Sequence, residues 1–230
     1  MITCKNPILS GFYPDPSICR VGEWFYLATS TFAYFPGIPI FRSRNLAQWE
    51  QIGNILTRES QLPLQGCEHN EGIYAPTLRW HEGTFYLITT NVSGGGNFIV
   101  TAKNPQGPWS EPHFLENAGG IDPSLFFDED GTCYYIVQRE NSRGGRYNGD
   151  CEIWIQKLDL QTFRLEGEAH PVYMDSREMQ SGRRVPIFTK EMVITTFFMQ
   201  KVEQRSITVK WWPGVKIFLV PMNMQGPIRS

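Results

Sequence analysis

Two aspartates of this chain stand in the same local setting. Asp15 lies in Tyr13-Pro-Asp-Pro-Ser17 and Asp122 in Gly120-Ile-Asp-Pro-Ser124. An aspartate before Pro-Ser can be turn chemistry alone, its carboxylate capping nearby backbone amides. A third copy of the segment, Tyr74-Ala-Pro-Thr77, has Ala75 in that place, where a purely structural aspartate would be needed again. A carboxylate present in two copies and absent from the one between them points to chemistry that the pair performs. Convergent carboxylates are the equipment of glycoside hydrolysis: an inverting enzyme uses one to activate water and a second, roughly 6.5–9.5 Å away, to protonate the leaving oxygen. A further carboxylate can raise the acid's pKa by like-charge repulsion and hold it in place.

Aspartates so distant in sequence converge only if the elements that carry them repeat. They do. Residues 13–27 run Tyr-Pro-Asp-Pro-Ser-Ile-Cys-Arg-Val-Gly-Glu-Trp-Phe-Tyr-Leu, a short apolar strand, a glycine turn and an aromatic strand. The frame returns over residues 74–87 and 121–136. Each unit is followed by an alternating apolar strand that runs into a polar turn closed by an aromatic, ending at Trp49, Trp109 and Phe163. Short strands at a period of roughly 40–60 residues indicate an all-β propeller, here with about three blades of four strands, over residues 1–60, 61–112 and 113–170. In a propeller, equivalent first-strand positions ring the central channel, so Asp15 and Asp122 meet there. The loop Ser30-Thr-Phe-Ala-Tyr-Phe-Pro-Gly37 crowds three aromatics between the second and third strands of blade one. Its rings either plug the blade core or offer flat apolar faces to the C–H side of a pyranose.

Composition narrows the classes. With 230 residues, 41% hydrophobic and 13% aromatic, one packed domain is expected. No apolar run reaches the roughly 18 residues of a membrane span, and the N-terminal residues lack the long apolar segment of a signal peptide, so the expected location is cytoplasmic, with no membrane partner. Five scattered cysteines, Cys4, Cys19, Cys67, Cys133 and Cys151, fit neither a zinc site nor a disulfide scaffold and are read as free thiols. His69 has no second histidine at ligand spacing, and no metal or other cofactor is expected. The glycines of Asn91-Val-Ser-Gly-Gly-Gly-Asn97 form a hairpin loop rather than a phosphate cradle, because no helix pattern follows. No basic surface interleaved with aromatics suggests a nucleic-acid partner.

The segments Tyr13-Pro-Asp-Pro-Ser17, Thr31-Phe-Ala-Tyr-Phe-Pro-Gly37, Gly72-Ile-Tyr-Ala-Pro-Thr77, Gly94-Gly-Gly-Asn-Phe98 and Gly120-Ile-Asp-Pro-Ser-Leu-Phe-Phe-Asp128 together resemble glycoside hydrolase family 43, the β-xylosidase and α-L-arabinofuranosidase group. The resemblance runs from residue 5 to about 174. It implies a five-bladed β-propeller, an inverting mechanism and a xylo-oligosaccharide or arabinoxylan-derived substrate. Asp15 would be the general base and Asp122 the carboxylate that orients the acid and modulates its pKa. Phe32 would be a subsite aromatic, and Tyr74 stands where relatives usually have tryptophan. A fructan- or sucrose-cleaving propeller is the nearest competitor, but Pro14-Asp15-Pro16-Ser17 lacks the asparagines expected of its nucleophile segment.

The general acid implied by the family is a glutamate in Glu-Gly-Pro-His on blade four, and it is absent from this sequence. The chain changes character where that motif belongs. Up to Ser176 there are 12 Lys+Arg against 20 Asp+Glu, and from Arg177 onward 9 against 3. All nine tyrosines and all seven aspartates precede Arg177. Rebuilding each codon across residues 183–198 from the third base of one residue and the first two of the next permits Glu-Gly-Pro-His-Ile-Tyr followed by Lys-Arg-Asp-Gly-Tyr-Tyr-Tyr-Leu-Leu-His. That is the missing motif together with the glycine turn and paired aromatics of the repeat. The reading divides the chain into an incomplete propeller domain, residues 1–176, and an out-of-frame tail, residues 177–230, after a single-base frameshift near residues 175–177. It predicts impaired hydrolysis, with a non-catalytic carbohydrate-binding propeller fragment or a defective gene product as alternatives.

Overall fold

A computed structural model describes residues 6–141, 144 and 151–173. The tail and most of the polar loop at residues 141–149 lie outside the described residues, as does Cys4. Every described residue belongs to the first of two units, Met1–Thr189.

Among the described residues twelve strands form three four-stranded antiparallel sheets, each a meander in chain order. Blade one is β1 (Ser17–Val21), β2 (Trp24–Ala28), β3 (Gly37–Ser43) and β4 (Glu50–Leu56). Blade two is β5 (Thr77–His81), β6 (Thr84–Asn91), β7 (Gly96–Ala102) and the short β8 (His113–Phe114). Blade three is β9 (Ile121–Phe127), β10 (Cys133–Glu140), β11 (Cys151–Asp159) and β12 (Arg164–Tyr173). This is the all-β propeller read from the repeats, and among the described residues there is no helix. The repeated glycine marks the hairpin between the first two strands of each blade. In blade two, where His81 pairs with Thr84, both central residues have positive φ, 44° at Glu82 and 73° at Gly83, as a type I′ turn requires.

Blades stack face to face because their middle strands are apolar on both sides. Consecutive residues of β6 and β7 point into different cores: Leu87, Phe98 and Val100 pack with Ile40 and Tyr26 of blade one, whereas Ile88 and Ile99 pack with Leu125 and Tyr135 of blade three. The period-2 geometry of a strand thus gives blade two a separate core on each face. The first strands adjoin one another along the inside of the arc, β1 beside β5 and β5 beside β9. Side chains tie them: Leu78 N–H donates to Ser17 Oγ at 3.0 Å, and Arg79 donates to Leu125 O at 3.1 Å and to Ser124 Oγ at 3.2 Å.

The four described cysteines are free. Burial, partly offset by the nearby Arg79 guanidinium, pushes the Cys19 thiol from 9.0 to about 12, and burial alone does the same at Cys133. At these two thiols the folded state keeps protons that the unfolded state releases, so their contribution to stability is fully present below pH 9 and is lost as pH rises toward 12. Denaturant midpoints are expected to fall across that range, and Cys19→Ala combined with Cys133→Ala should flatten the fall.

Candidate active site

Asp15 and Asp122 share a backbone peculiarity that the intervening copy lacks. Their φ values are 52° and 55°, in the left-handed region, while the buried Ala75 is not among the residues with positive φ. Such a conformation costs a residue with a side chain on the order of 1 kcal/mol, least for Asp and Asn, and it persists where surrounding contacts impose it. Each aspartate lies two residues before the inner-strand hydroxyl of its blade, Ser17 or Ser124, and Ala75 lies two before Thr77. All three positions therefore occupy the same end of the inner ring. Asp15 precedes its ladder, whereas Asp122 falls inside β9. The difference arises because Ile121 pairs with Gln138 beyond a bulge, which carries the blade-three ladder past the aspartate.

Different contacts impose the two conformations. At Asp15, Ser30 N–H donates to Pro14 O at 3.1 Å, and Ser30 Oγ–H donates to Asp15 Oδ2 at 2.6 Å. Ser30 is fully buried while Asp15 is exposed, so a rigid donor holds one oxygen of an accessible carboxylate. Before Asp122, Gly120 adopts a φ of 100° where any side chain would run into the Gln138 carbonyl. The Asn97 amide nitrogen lies within hydrogen-bonding range of three acceptors: Ala118 O at 2.7 Å, Gly120 O at 3.2 Å and Tyr135 Oη at 2.6 Å. Thr90 Oγ1–H donates to Asn97 Oδ1. This buried cluster anchors the segment that delivers Asp122 from the neighbouring blade, and burial pushes the Tyr135 hydroxyl above its usual range despite the nearby Arg139. Nothing in the sequence marks Ser30 or Asn97 as a site residue. Hydroxyls two residues past the partner of the inner-strand hydroxyl, Ser30 and Thr90, are the available signal.

The aromatic residues are brought together by a strand-like crossing. Ile73 is bridged to Phe32 on one side and to Asn91 on the other. Phe32 N–H donates to Ile73 O at 2.9 Å, Ile73 N–H returns to Phe32 O at 3.1 Å, and Tyr74 N–H donates to Thr90 O at 3.0 Å. The close approach is possible because Gly72, at a φ of 83°, has no Cβ, which would lie 2.5 Å from Phe32 O. The Phe32 and Tyr74 rings meet edge to face at 5.7 Å. Phe12 extends the group, 5.9 Å from Phe32 and 6.2 Å from Tyr34. Tyr34 is 63% exposed and Phe35 49% exposed, so these loop aromatics do not plug the blade core.

The described site therefore has an accessible carboxylate with one oxygen held, a half-buried second carboxylate at the matching place two blades along, and aromatic rings on the loop that follows Ser30. Such a set can accept a proton from water or from a sugar hydroxyl and can pack against the C–H face of a sugar. His69 is exposed, and among the described residues no cluster of three His, Cys, Asp or Glu could hold a metal ion. The stretch at residues 183–188, where a general acid was expected, lies outside the described residues.

The family model described as glycosyl hydrolases family 43 matches residues 4–191. A xylosidase/arabinosidase of Butyrivibrio fibrisolvens is 62% identical over 175 residues, 75% of this chain and 34% of that protein. A non-reducing end alpha-L-arabinofuranosidase of Bacteroides ovatus is 54% identical over 138 residues, 58% of this chain and 26% of that protein. Among solved structures, a xylan beta-1,4-xylosidase from Bacillus halodurans C-125 superimposes with a TM-score of 0.69 at 43% identity, covering 75% of this chain and 34% of that one. The chain thus spans about a third or less of the length of the curated relatives it matches.

Proposed function

Because the chain belongs to glycosyl hydrolases family 43, we propose that its described part is the base-bearing portion of an inverting xylosidase or arabinofuranosidase active site, acting on xylo-oligosaccharides or arabinoxylan-derived fragments. The observation that carries this reading is the matched pair of left-handed aspartates at equivalent starts of the inner strands of blades one and three, with Ala75 between them. Asp15 takes the proton of the attacking water. The water oxygen bonds to the anomeric carbon as the glycosidic C–O bond breaks, and the electron pair of that bond leaves with the aglycone oxygen. Asp122 orients the general acid and raises its pKa, and Phe32 and Tyr74 pack against the sugar.

In this chain the acid step is compromised, since residues 177–230 contain no Glu-Gly-Pro-His. A leaving group that departs as a stable anion needs no acid. The reading is tested with the purified 230-residue chain on 2,4-dinitrophenyl β-xyloside, the corresponding α-arabinofuranoside and xylobiose. The expected result is slow turnover of an activated glycoside above its spontaneous hydrolysis, with the first-formed sugar of inverted anomeric configuration by proton NMR, and no cleavage of xylobiose. Retained configuration would sink the inverting mechanism, and rapid xylobiose cleavage would sink the missing acid. The exposed rings of Phe12 and Tyr34 favour a second reading, a carbohydrate-binding propeller. Saturable xylo-oligosaccharide binding with no turnover of either activated glycoside would select it.

A further inference from the structure

We propose that Ser30 is the positioning residue of the base: its hydroxyl dictates which Asp15 oxygen faces the attacking water, an inference that rests on the hydrolase reading above. Ser30 Oγ lies 2.6 Å from Asp15 Oδ2 and 3.5 Å from Pro14 O. The hydroxyl proton therefore goes to the carboxylate, the charged and nearer acceptor. No other hydrogen bond to Asp15 is made among the described residues, so Ser30 occupies Oδ2 and leaves Oδ1 to take the proton of water.

Blade equivalence supports a dedicated role. Ser17 pairs with Ala28, Thr77 with Ile88 and Ser124 with Ile136. Counting two residues on from each partner leads to Ser30 in blade one and Thr90 in blade two, and in blade three, where the bulge shifts the register, to the Val137-Gln138 step. In blade two, where Ala75 offers no carboxylate, the Thr90 hydroxyl turns instead to Asn97 Oδ1. In blade three the position carries no hydroxyl. Of the two hydroxyls at this place among the described residues, that of Ser30 meets a carboxylate and that of Thr90 an amide oxygen. The donor is also well fixed, because Ser30 is fully buried and its own N–H is bonded to Pro14 O at 3.1 Å. A carboxylate released from such a donor can rotate, and misplacement of a reacting group by about 1 Å can cost on the order of 100-fold in rate.

The test uses the full chain and the dinitrophenyl xyloside. Ser30→Ala is expected to lower kcat roughly 10- to 100-fold with KM changed less than about twofold, and Ser30→Thr to recover most of the loss. In the Asp15→Asn background, Ser30→Ala should leave the residual rate unchanged, because there is no longer a base to aim. An unaltered kcat in Ser30→Ala, or an equal loss in the Asp15→Asn background, overturns the proposal. Where thermal melting shows that Ser30→Ala does not fold, Ser30→Cys in the same two backgrounds decides by the same criteria. If the unaltered chain turns over no activated glycoside, the hydrolase reading fails, and carbon-13 NMR decides Ser30 separately. The Asp15 carboxyl resonance, identified by its loss in Asp15→Asn, should move in Ser30→Ala and return in Ser30→Thr while that of Asp122 stays in place. A stationary Asp15 resonance refutes the positioning role.

Discussion

Asp15→Asn is expected to reduce turnover of the dinitrophenyl xyloside by about 10²–10⁴-fold while leaving the melting temperature nearly unchanged. The two parts of this expectation have separate causes. Asparagine tolerates the left-handed backbone at this position, where φ is 52°, as well as aspartate does. Its amide oxygen still accepts the Ser30 hydroxyl, which now bonds the carboxylate at 2.6 Å. The fold therefore loses little, and the side chain is exposed, so no buried charge is exchanged. What disappears is the ability to take a proton from water. Added azide separates this from a general loss of the site: azide attacks the anomeric carbon without giving up a proton, so it should restore consumption of the glycoside and yield an inverted glycosyl azide. An Asp15→Asn chain that hydrolyses the xyloside at the original rate would remove Asp15 from the mechanism.

Restoring the alternative reading frame near residues 175–177 is expected to raise cleavage of xylobiose by about 10²–10⁴-fold, the usual contribution of a general acid. In that frame the codons of Arg183 and Arg184 permit a glutamate, and the residues after them permit Gly-Pro-His. The gain should depend on the leaving group. Phenoxides of high pKa need a proton on the departing oxygen and should benefit most, whereas the dinitrophenyl xyloside, which leaves unaided, should benefit least. Changing the restored glutamate to glutamine should abolish the xylobiose gain and spare most of the dinitrophenyl activity. A frame-restored protein that remains inert on xylobiose, yet folds, would show that the tail is not the reason for the deficit. Resequencing the source DNA across codons 173–186 asks the prior question of which frame the gene carries.

The two outcomes together separate base from acid. Loss of the base lowers turnover of every substrate, and loss of the acid lowers it in proportion to how poor the leaving group is. On the proposed mechanism Ser30 belongs to the first class, because its hydroxyl bonds the carboxylate assigned to water.

The blades and the equivalent settings of the two aspartates are legible in the local patterns of the chain. Strand alternation, the glycine turns at Gly22, Gly83 and Gly131, and the recurring Pro-Ser or Pro-Thr are local patterns, and local hydrogen bonding suffices to turn each into a hairpin. The equivalence of Asp15, Ala75 and Asp122 followed from the same patterns without any knowledge of contacts. What those residues touch is set by the packing of the folded chain. That the loop aromatics Tyr34 and Phe35 face outward was open in the sequence, because an apolar ring suits a core and a sugar equally well. The left-handed backbone at both aspartates, the seating of Ile73 between Phe32 and Asn91, and the hold of Asn97 on the chain entering Asp122 all depend on how the chain is registered in space. So does the choice of Ser30 over the adjacent Thr29 as the donor to Asp15. These contacts join residues 15 or more positions apart, and a side chain's partner at such range is set by the stacking of blades on shared cores, which no local pattern encodes.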